Sequence, residues 1–352
     1  MNKLRVLSDL HHADLYYSLQ LLFEKRLGAE LYRPIGLDWY YEGYWNVYPH
    51  IGTAKQYLST DQTLNVPTGI DGEPFPEHSL LNKNYRFEDG IYYVNDPTKD
   101  KINRGITLDK FKEMDFDILI SSIPSHIAPF NKLISLYQPK AKHIFQIGNS
   151  WSLNHDVKNI MASCAPSPVP EDKNVVFYHQ EFDLDTYKYN GPSKNPCTIS
   201  SFVHYMRRVD ILDTLMKQLP GWKVKMHGAG MKDHSICKTV DIAKAIDETG
   251  FVWHVKPGGD GFGYSVHTAF AMGRPVITFG HDYHGKLAGD LMIHGETCFD
   301  LDNGPLVDVL KKLADNPERY AQMCRNAHTQ FKKVVNFDVE FEEIREFLGR
   351  LR

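Results

Sequence analysis

Apolar residues in this chain fall in short runs separated by polar turns and by stretches with helical spacing. Leu4–Ser8 (LRVLS) reads as a short buried strand, followed by the polar turn Asp9–Asp14. An amphipathic helix is predicted over about Leu15–Leu27, stopped by Gly28, with Ala29–Tyr32 starting the next strand. Strand, turn, helix, strand is how a doubly wound α/β domain opens. The first turn has no GxGxxG, so a dinucleotide fingerprint is absent there. The pattern resumes with a strand at Asp117–Ser121, a helix at Asn131–Tyr137 and a strand at His143–Ile147. Between the two series, residues 38–50 (DWYYEGYWNVYPH) are crowded with Trp and Tyr, and the chain to about residue 112 is rich in Pro, Gly, Asn and Asp. A loop of that length predicts an insertion with short elements of its own.

Residues 186–196, with Gly191-Pro192 and Asn195-Pro196, have the composition of an interdomain linker. A second βα series follows at once: strands at Thr198–Val203, Lys223–His227, Phe251–Lys256 and Pro275–Phe279, and helices at Val209–Gln218, Val240–Asp247 and Ser265–Met272. The tail from Pro305 is helical and broken at Asn316-Pro317 and Asn336. The expected organisation is an N-terminal α/β domain over residues 1–185, a linker at 186–196, a second α/β domain over 197–335 and a final helix at 336–352 that returns to the first domain. Each domain is expected to carry a parallel sheet whose ligands sit at the C-terminal strand ends.

Composition narrows the class. The chain has 352 residues and is 42% hydrophobic, enough for two cores. Its net charge of −4 gives no general pull toward nucleic acid or anionic membrane. No apolar run reaches the ~20 residues of a membrane span, and Arg5, Ser8 and Asp9 interrupt any secretory h-region near the start. The five cysteines are scattered without a CxxC pair, so neither a disulfide framework nor a metal site is expected. The expectation is a reduced, cytoplasmic enzyme that requires no metal.

The informative stretch is Phe251–Asp302. A buried strand ends at Lys256-Pro257 and enters Gly258-Gly259-Asp260-Gly261-Phe262-Gly263, and a helix begins near Tyr264-Ser265. Glycines let backbone N–H groups approach an anion, and a helix N-terminus adds a positive dipole end. A diphosphate is the natural guest, with Ser265 and Lys256 as further contacts. The alternative is a merely flexible βα loop.

The order Asp260-Gly261-Phe262-Gly263, helix, Thr268-Ala269-Phe270-Ala271-Met272-Gly273-Arg274-Pro275-Val276 resembles the C-terminal signature of the large retaining glycosyltransferase family with an E-x7-E motif. His294-Gly295-Glu296-Thr297 resembles a further turn of that family, and the resemblance spans about the C-terminal half. It implies a GT-B fold, in which two Rossmann-like domains face a central cleft. It also implies a nucleotide-diphosphate sugar, UDP- or GDP-linked, as co-substrate rather than a resident cofactor. The donor-site residues carried over are Arg207, Lys256, Gly259, Gly261, Phe262, Gly263, Tyr264, Ser265 and Thr268, with Asp260 on the first acidic position. The sequence departs from the pattern at three places. Asp260 is shorter than Glu, Thr268 replaces the second acid, and Phe202 stands where the family has the Arg that precedes Arg207.

In the N-terminal half, His11 and His12 lie in the first βα turn, where a histidine can serve as general base on an acceptor hydroxyl. The alternative is that they are turn residues. His126 follows the Asp117–Ser121 strand as a sugar or phosphate contact, and Asn149 and Ser150 follow the next strand in the same way. Trp39, Tyr41 and Trp45 offer aromatic faces for an acceptor, or else pack the insertion onto its domain. The partners expected are a nucleotide-sugar donor and an acceptor that is a glycan, a small molecule or a modified DNA base. Competing readings are a phage-type glycosyltransferase acting on hydroxymethylated DNA bases, a sugar-nucleotide epimerase, and a non-catalytic nucleotide-sugar binding protein.

Overall fold

The computed structural model describes residues 3–9, 13–35, 39, 85–96, 101–148, 152–164, 168–202, 208–227, 238–304 and 306–352. Among these the chain divides into two compact units. The first comprises Met1–Ser163, Ser167–Phe182 and Phe341–Arg352, and the second Cys164–Pro166 and Asp183–Glu340.

Unit 1 is built on strands β1 (Arg5–Ser8), β2 (Glu30–Pro34), β3 (Tyr85–Glu88), β4 (Ile91–Asp96), β5 (Lys101–Ile106), β6 (Ile118–Ser121), β7 (Lys142–Ile147), β8 (Asn159–Ala162) and β9 (Asn174–Phe177). They form one sheet in the order β3-β4-β5-β2-β1-β6-β7-β8-β9. It is parallel from β5 through β9, and β3 and β4 extend it as an antiparallel hairpin. The insertion thus adds strands to the domain's own sheet. Helices α1 (Ala13–Leu19, continued as a π-helix over Gln20–Arg26), α2 (Leu108–Glu113) and α3 (Ile127–Tyr137) cross over between strands. The central strands β1, β6, β7 and β8 are buried on both faces, as a parallel sheet with crossover helices requires. Val6, Ile118, Ile144 and Met161 meet Leu15, Leu19 and Phe23 in one core cluster, and Leu7, Leu119, Phe111 and Phe130 meet in another.

Unit 2 holds β10 (Thr198–Ser201), α4 (Val209–Lys217), β11 (Lys223–Met226), α5 (Thr239–Asp247), β12 (Phe251–Trp253), α6 (Tyr264–Ala271), β13 (Val276–Thr278), β14 (Cys298–Asp300), α7 (Val307–Ala314) and α8 (Pro317–Val334). Its sheet, in the order β11-β10-β12-β13-β14, is parallel throughout. Ile199, Phe251, Trp253 and Ile277 pack on Leu212, Leu310, Tyr320 and Met323. The last helix, α9 (Phe337–Gly349), sends Ile344 and Phe347 into the unit 1 core beside Leu15 and Phe23. The Asn174 amide donates to Phe347 O at 3.3 Å, and Asn159 to Arg352 O at 3.1 Å. No helix among the described residues is long and apolar enough to cross a membrane.

Candidate functional site

In unit 2 the chain runs from β10 outward to β11 and then returns to β12 on the other side of β10. This reversal is where open α/β sheets receive ligands, beyond the C-terminal strand ends. The glycine loop leaves β12 at that point. Regular pairing ends at Trp253, earlier than the sequence suggested, although the His254 N–H still reaches Ile277 O at 2.9 Å. Gly258 and Gly259 take φ of +73° and +59°, and the Gly259 N–H closes a turn onto Lys256 O at 2.8 Å. The Gly258 N–H donates to Asp282 Oδ1 at 2.8 Å, and the Lys286 ammonium donates to Gly258 O. A Cβ at Gly259 would lie 2.6 Å from Asp282 O. The loop is therefore built flush against residues 282–286, which follow β13. On its far side Phe262 is buried and stacks on His267 with ring centroids 4.0 Å apart, and Gly263 opens α6 at φ +77°.

The charges gather around Asp260. Its Oδ2 accepts from His254 Nε2 at 2.8 Å, and its Oδ1 pairs with the Lys256 ammonium. Since an ionised carboxylate only accepts, His254 Nε2 carries the proton. Burial pushes the Asp260 carboxyl up, but the His254 hydrogen bond and the His254 and Lys256 charges outweigh it, holding the group well below the usual carboxylate range. Lys286 is 4% exposed, and its pKa is pushed down by burial, with Asp260 and Asp282 opposing and Lys256 adding to the shift. Two lysines, two aspartates and a histidine thus surround one short loop. Beside it lies a cavity of about 250 Å³, lined by Thr278, Tyr283, Lys286, Asp290 and Cys298 among others.

Unit 1 has its own reversal, between β1 and β6. Asp9 closes β1 there and is 2% exposed. Its carboxylate accepts from the Ser122 N–H at 2.7 Å, from the Ser122 hydroxyl, and from His126 Nδ1 at 2.6 Å. His126 stacks on Phe130, which stacks in turn on His143. His143 bonds Ser121 Oγ at 2.8 Å and Asn131 Oδ1 at 2.7 Å, and burial pushes its pKa down to about 4.

Several expected site residues change role in this geometry. Gly259 was expected to offer its amide to an anion, but that amide closes the turn. Thr268 is 1% exposed and gives its hydroxyl to Tyr264 O at 3.0 Å, so it faces the helix rather than a ligand. His126, expected as a sugar or phosphate contact, is 1% exposed and turned onto Asp9. Trp39, a candidate acceptor platform, is a core residue: it is 1% exposed, packs on Phe111 and donates its indole N–H to Ile106 O at 3.0 Å. Asp260, Lys256, Gly261, Phe262, Gly263, Tyr264 and Ser265 are brought together on one loop and helix start. His11, His12, Tyr41, Trp45, Asn149, Ser150 and Arg207 lie outside the described residues. The residues not anticipated are His254, Asp282, Lys286 and Asp9. The signal available for the middle pair was their place in HDYHGK, directly after the Pro275–Phe279 strand.

No protein-family model matches the chain, and no curated protein sequence matches it. Solved structures do. HepE of Anabaena in complex with UDP and glucose superposes with a TM-score of 0.60 at 10% identity, covering 99% of this chain and 100% of HepE. Sucrose-phosphate synthase of Thermosynechococcus elongatus gives 0.59 at 10% identity, covering 99% of both chains. An α-glucosyltransferase in complex with UDP and a 13-mer DNA containing a HMU base gives 0.55 at 10% identity, covering 99% of this chain and 100% of the other. The fold is GT-B: two α/β units, one on a largely parallel and one on a fully parallel Rossmann-like sheet.

Proposed function

We propose that the protein is a glycosyltransferase that moves a sugar from a nucleoside-diphosphate donor, UDP-linked in the first instance, to an acceptor hydroxyl. The observation that carries this reading is the loop after β12: a half-buried lysine and an aspartate beside a helix start, at the reversal of a parallel sheet. The positive dipole end at the start of α6 suits phosphate oxygens. Lys256 supplies the charge. As the sugar–phosphate bond breaks, negative charge grows on the departing diphosphate, and a fixed cation and helix start stabilise it where it develops. This arrangement needs no metal. Retention of anomeric configuration follows the resemblance of Asp260–Val276 to the retaining family. Both the proposed donor and the fold fit neighbours such as HepE and the α-glucosyltransferase, whose structures hold UDP.

The test is a thermal-shift series with UDP, GDP, ADP, CDP and TDP. A nucleotide at 100 times its Kd stabilises the fold by about 2.7 kcal/mol. Transfer is then assayed with the matching nucleotide sugars against glycan, small-molecule and hydroxymethylated-DNA acceptors, and the product anomer is read by NMR. If none of the five nucleotides raises the melting temperature, the reading fails. An inverted product removes the retaining assignment alone.

A further inference from the structure

Resting on the donor reading above, we propose that Asp260 is a built-in counter-ion of the phosphate site, one that disfavours a sugar-free diphosphate relative to a nucleotide sugar. Its two carboxylate oxygens are held in different ways. Oδ2 takes the proton of His254 Nε2 at 2.8 Å, and the His254 side chain is only 2% exposed. That contact is closed to solvent on the histidine side. Oδ1 takes the ammonium of Lys256, whose side chain is 26% exposed at the rim of the loop. The other ammonium beside the loop, Lys286, is buried and holds Gly258 O, while Asp282 holds the Gly258 N–H. Of the contacts around the loop, the Lys256–Asp260 pair is thus the one an incoming anion can open.

A diphosphate carries more charge than a carboxylate and draws Lys256 from Asp260. Asp260 then keeps His254 on one oxygen and is left with a bare Oδ1 on a side chain that is 22% exposed. A partly buried carboxylate oxygen without a partner costs free energy until a donor replaces the one it lost. Two guests differ here. A nucleotide sugar carries hydroxyls just beyond its distal phosphate, beside the loop, and one of them re-satisfies Oδ1. A nucleoside diphosphate ends in further acceptor oxygens, which cannot donate and which repel the carboxylate. Asp260 therefore acts as a specificity-determining residue: it lets the leaving diphosphate go and relieves product inhibition, an unpaired charge set against the wrong guest.

The experiment is isothermal titration of the full chain with two probes that lack a donor sugar, inorganic pyrophosphate and UDP, beside UDP-glucose, whose affinity Asp260→Asn should not raise. The proteins are wild type, Asp260→Asn, Lys256→Met and the double variant. Asp260→Asn should bind both probes about tenfold tighter and Lys256→Met about tenfold weaker, the scale of one partly buried ion pair. The double variant should show none of the Asp260→Asn gain, because that gain acts through Lys256. Asp260→Ser, with the same expected direction, serves if the amide disturbs the loop, and thermal unfolding of each variant reports that the fold persists. Pyrophosphate binding that is not tightened by either substitution overturns the proposal. So does a gain that survives the loss of Lys256. UDP binding without a gain overturns the counter-ion and leaves the nucleotide reading intact, whereas a pyrophosphate gain with no UDP binding supports the counter-ion and overturns the nucleotide reading.

Discussion

Two neighbouring glycines separate backbone strain from steric contact, and they make the sharpest prediction about the candidate site. Gly258 and Gly259 both adopt left-handed backbone, at φ +73° and +59°. A Cβ at Gly258 would meet nothing within 4 Å. A Cβ at Gly259 would lie 2.6 Å from Asp282 O and 2.9 Å from Lys286 Nζ. Gly258→Ala therefore bears only the left-handed penalty, about 1–2 kcal/mol. Gly259→Ala bears that and an overlap with backbone that cannot rotate away, adding about 1–3 kcal/mol. Relief requires residues 282–286 to retreat, which breaks the bonds that hold Gly258. The assay is thermal unfolding of each variant beside UDP titration. Each kcal/mol lost moves the melting temperature by about 2–4 °C in a unit of this size. Gly259→Ala should melt clearly below Gly258→Ala and bind UDP about tenfold more weakly, a 1.4 kcal/mol change, while Gly258→Ala keeps UDP affinity within about twofold of wild type. Equal melting and equal affinity in the two variants would falsify the claim that the 282–286 segment sets the shape of the loop.

Three further outcomes follow from buried groups. Arg274 is 1% exposed and donates to Ile246 O, Gly191 O, Met272 O and Asp247, so Arg274→Met should destabilise unit 2 by about 3–5 kcal/mol, seen as a lost or lowered unfolding transition. His143 has a folded pKa of about 4 against 6.5 in the unfolded chain, so the unfolded chain binds more protons between those values. Stability should accordingly fall as pH drops from about 6.5 to about 4, by about 3 kcal/mol from this group, and His143→Asn should flatten urea-midpoint curves across that window. Phe347 is fully buried in the unit 1 core, and Phe347→Ala should cost about 3–5 kcal/mol there while UDP titration of unit 2 is unchanged.

The βα alternation was legible because a buried parallel strand is a compact apolar run and a crossover helix has its own period; Leu4–Ser8, Thr198–Val203 and Ser265–Met272 all stand near the observed elements. What escaped was shorter or needed a turn to be weighed. NIMA at β8, NVVF at β9 and CFD at β14 offer only three or four residues, too few to show a period. The β3–β4 hairpin had a usable sign. Asp89-Gly90 between aromatic runs is a hairpin dipeptide, and both residues take positive φ. At the site, the glycine loop and Asp260 were visible because their chemistry is local in sequence. Their supports were not. Asp282 and Lys286 reach Gly258 across 24 and 28 residues, a pairing that exists only because β12 and β13 are neighbours in the sheet. The same holds for Asp9, whose bonds to Ser122 and His126 depend on β1 lying beside β6. Both reversals are thus fixed by long-range contacts to loops that sequence patterning leaves blank. Thr268 and His126, expected to meet a ligand, and Trp39, for which packing was the alternative, turned inward for the related reason that burial is a tertiary property: a polar or aromatic side chain looks the same in sequence whether it faces solvent or its own domain.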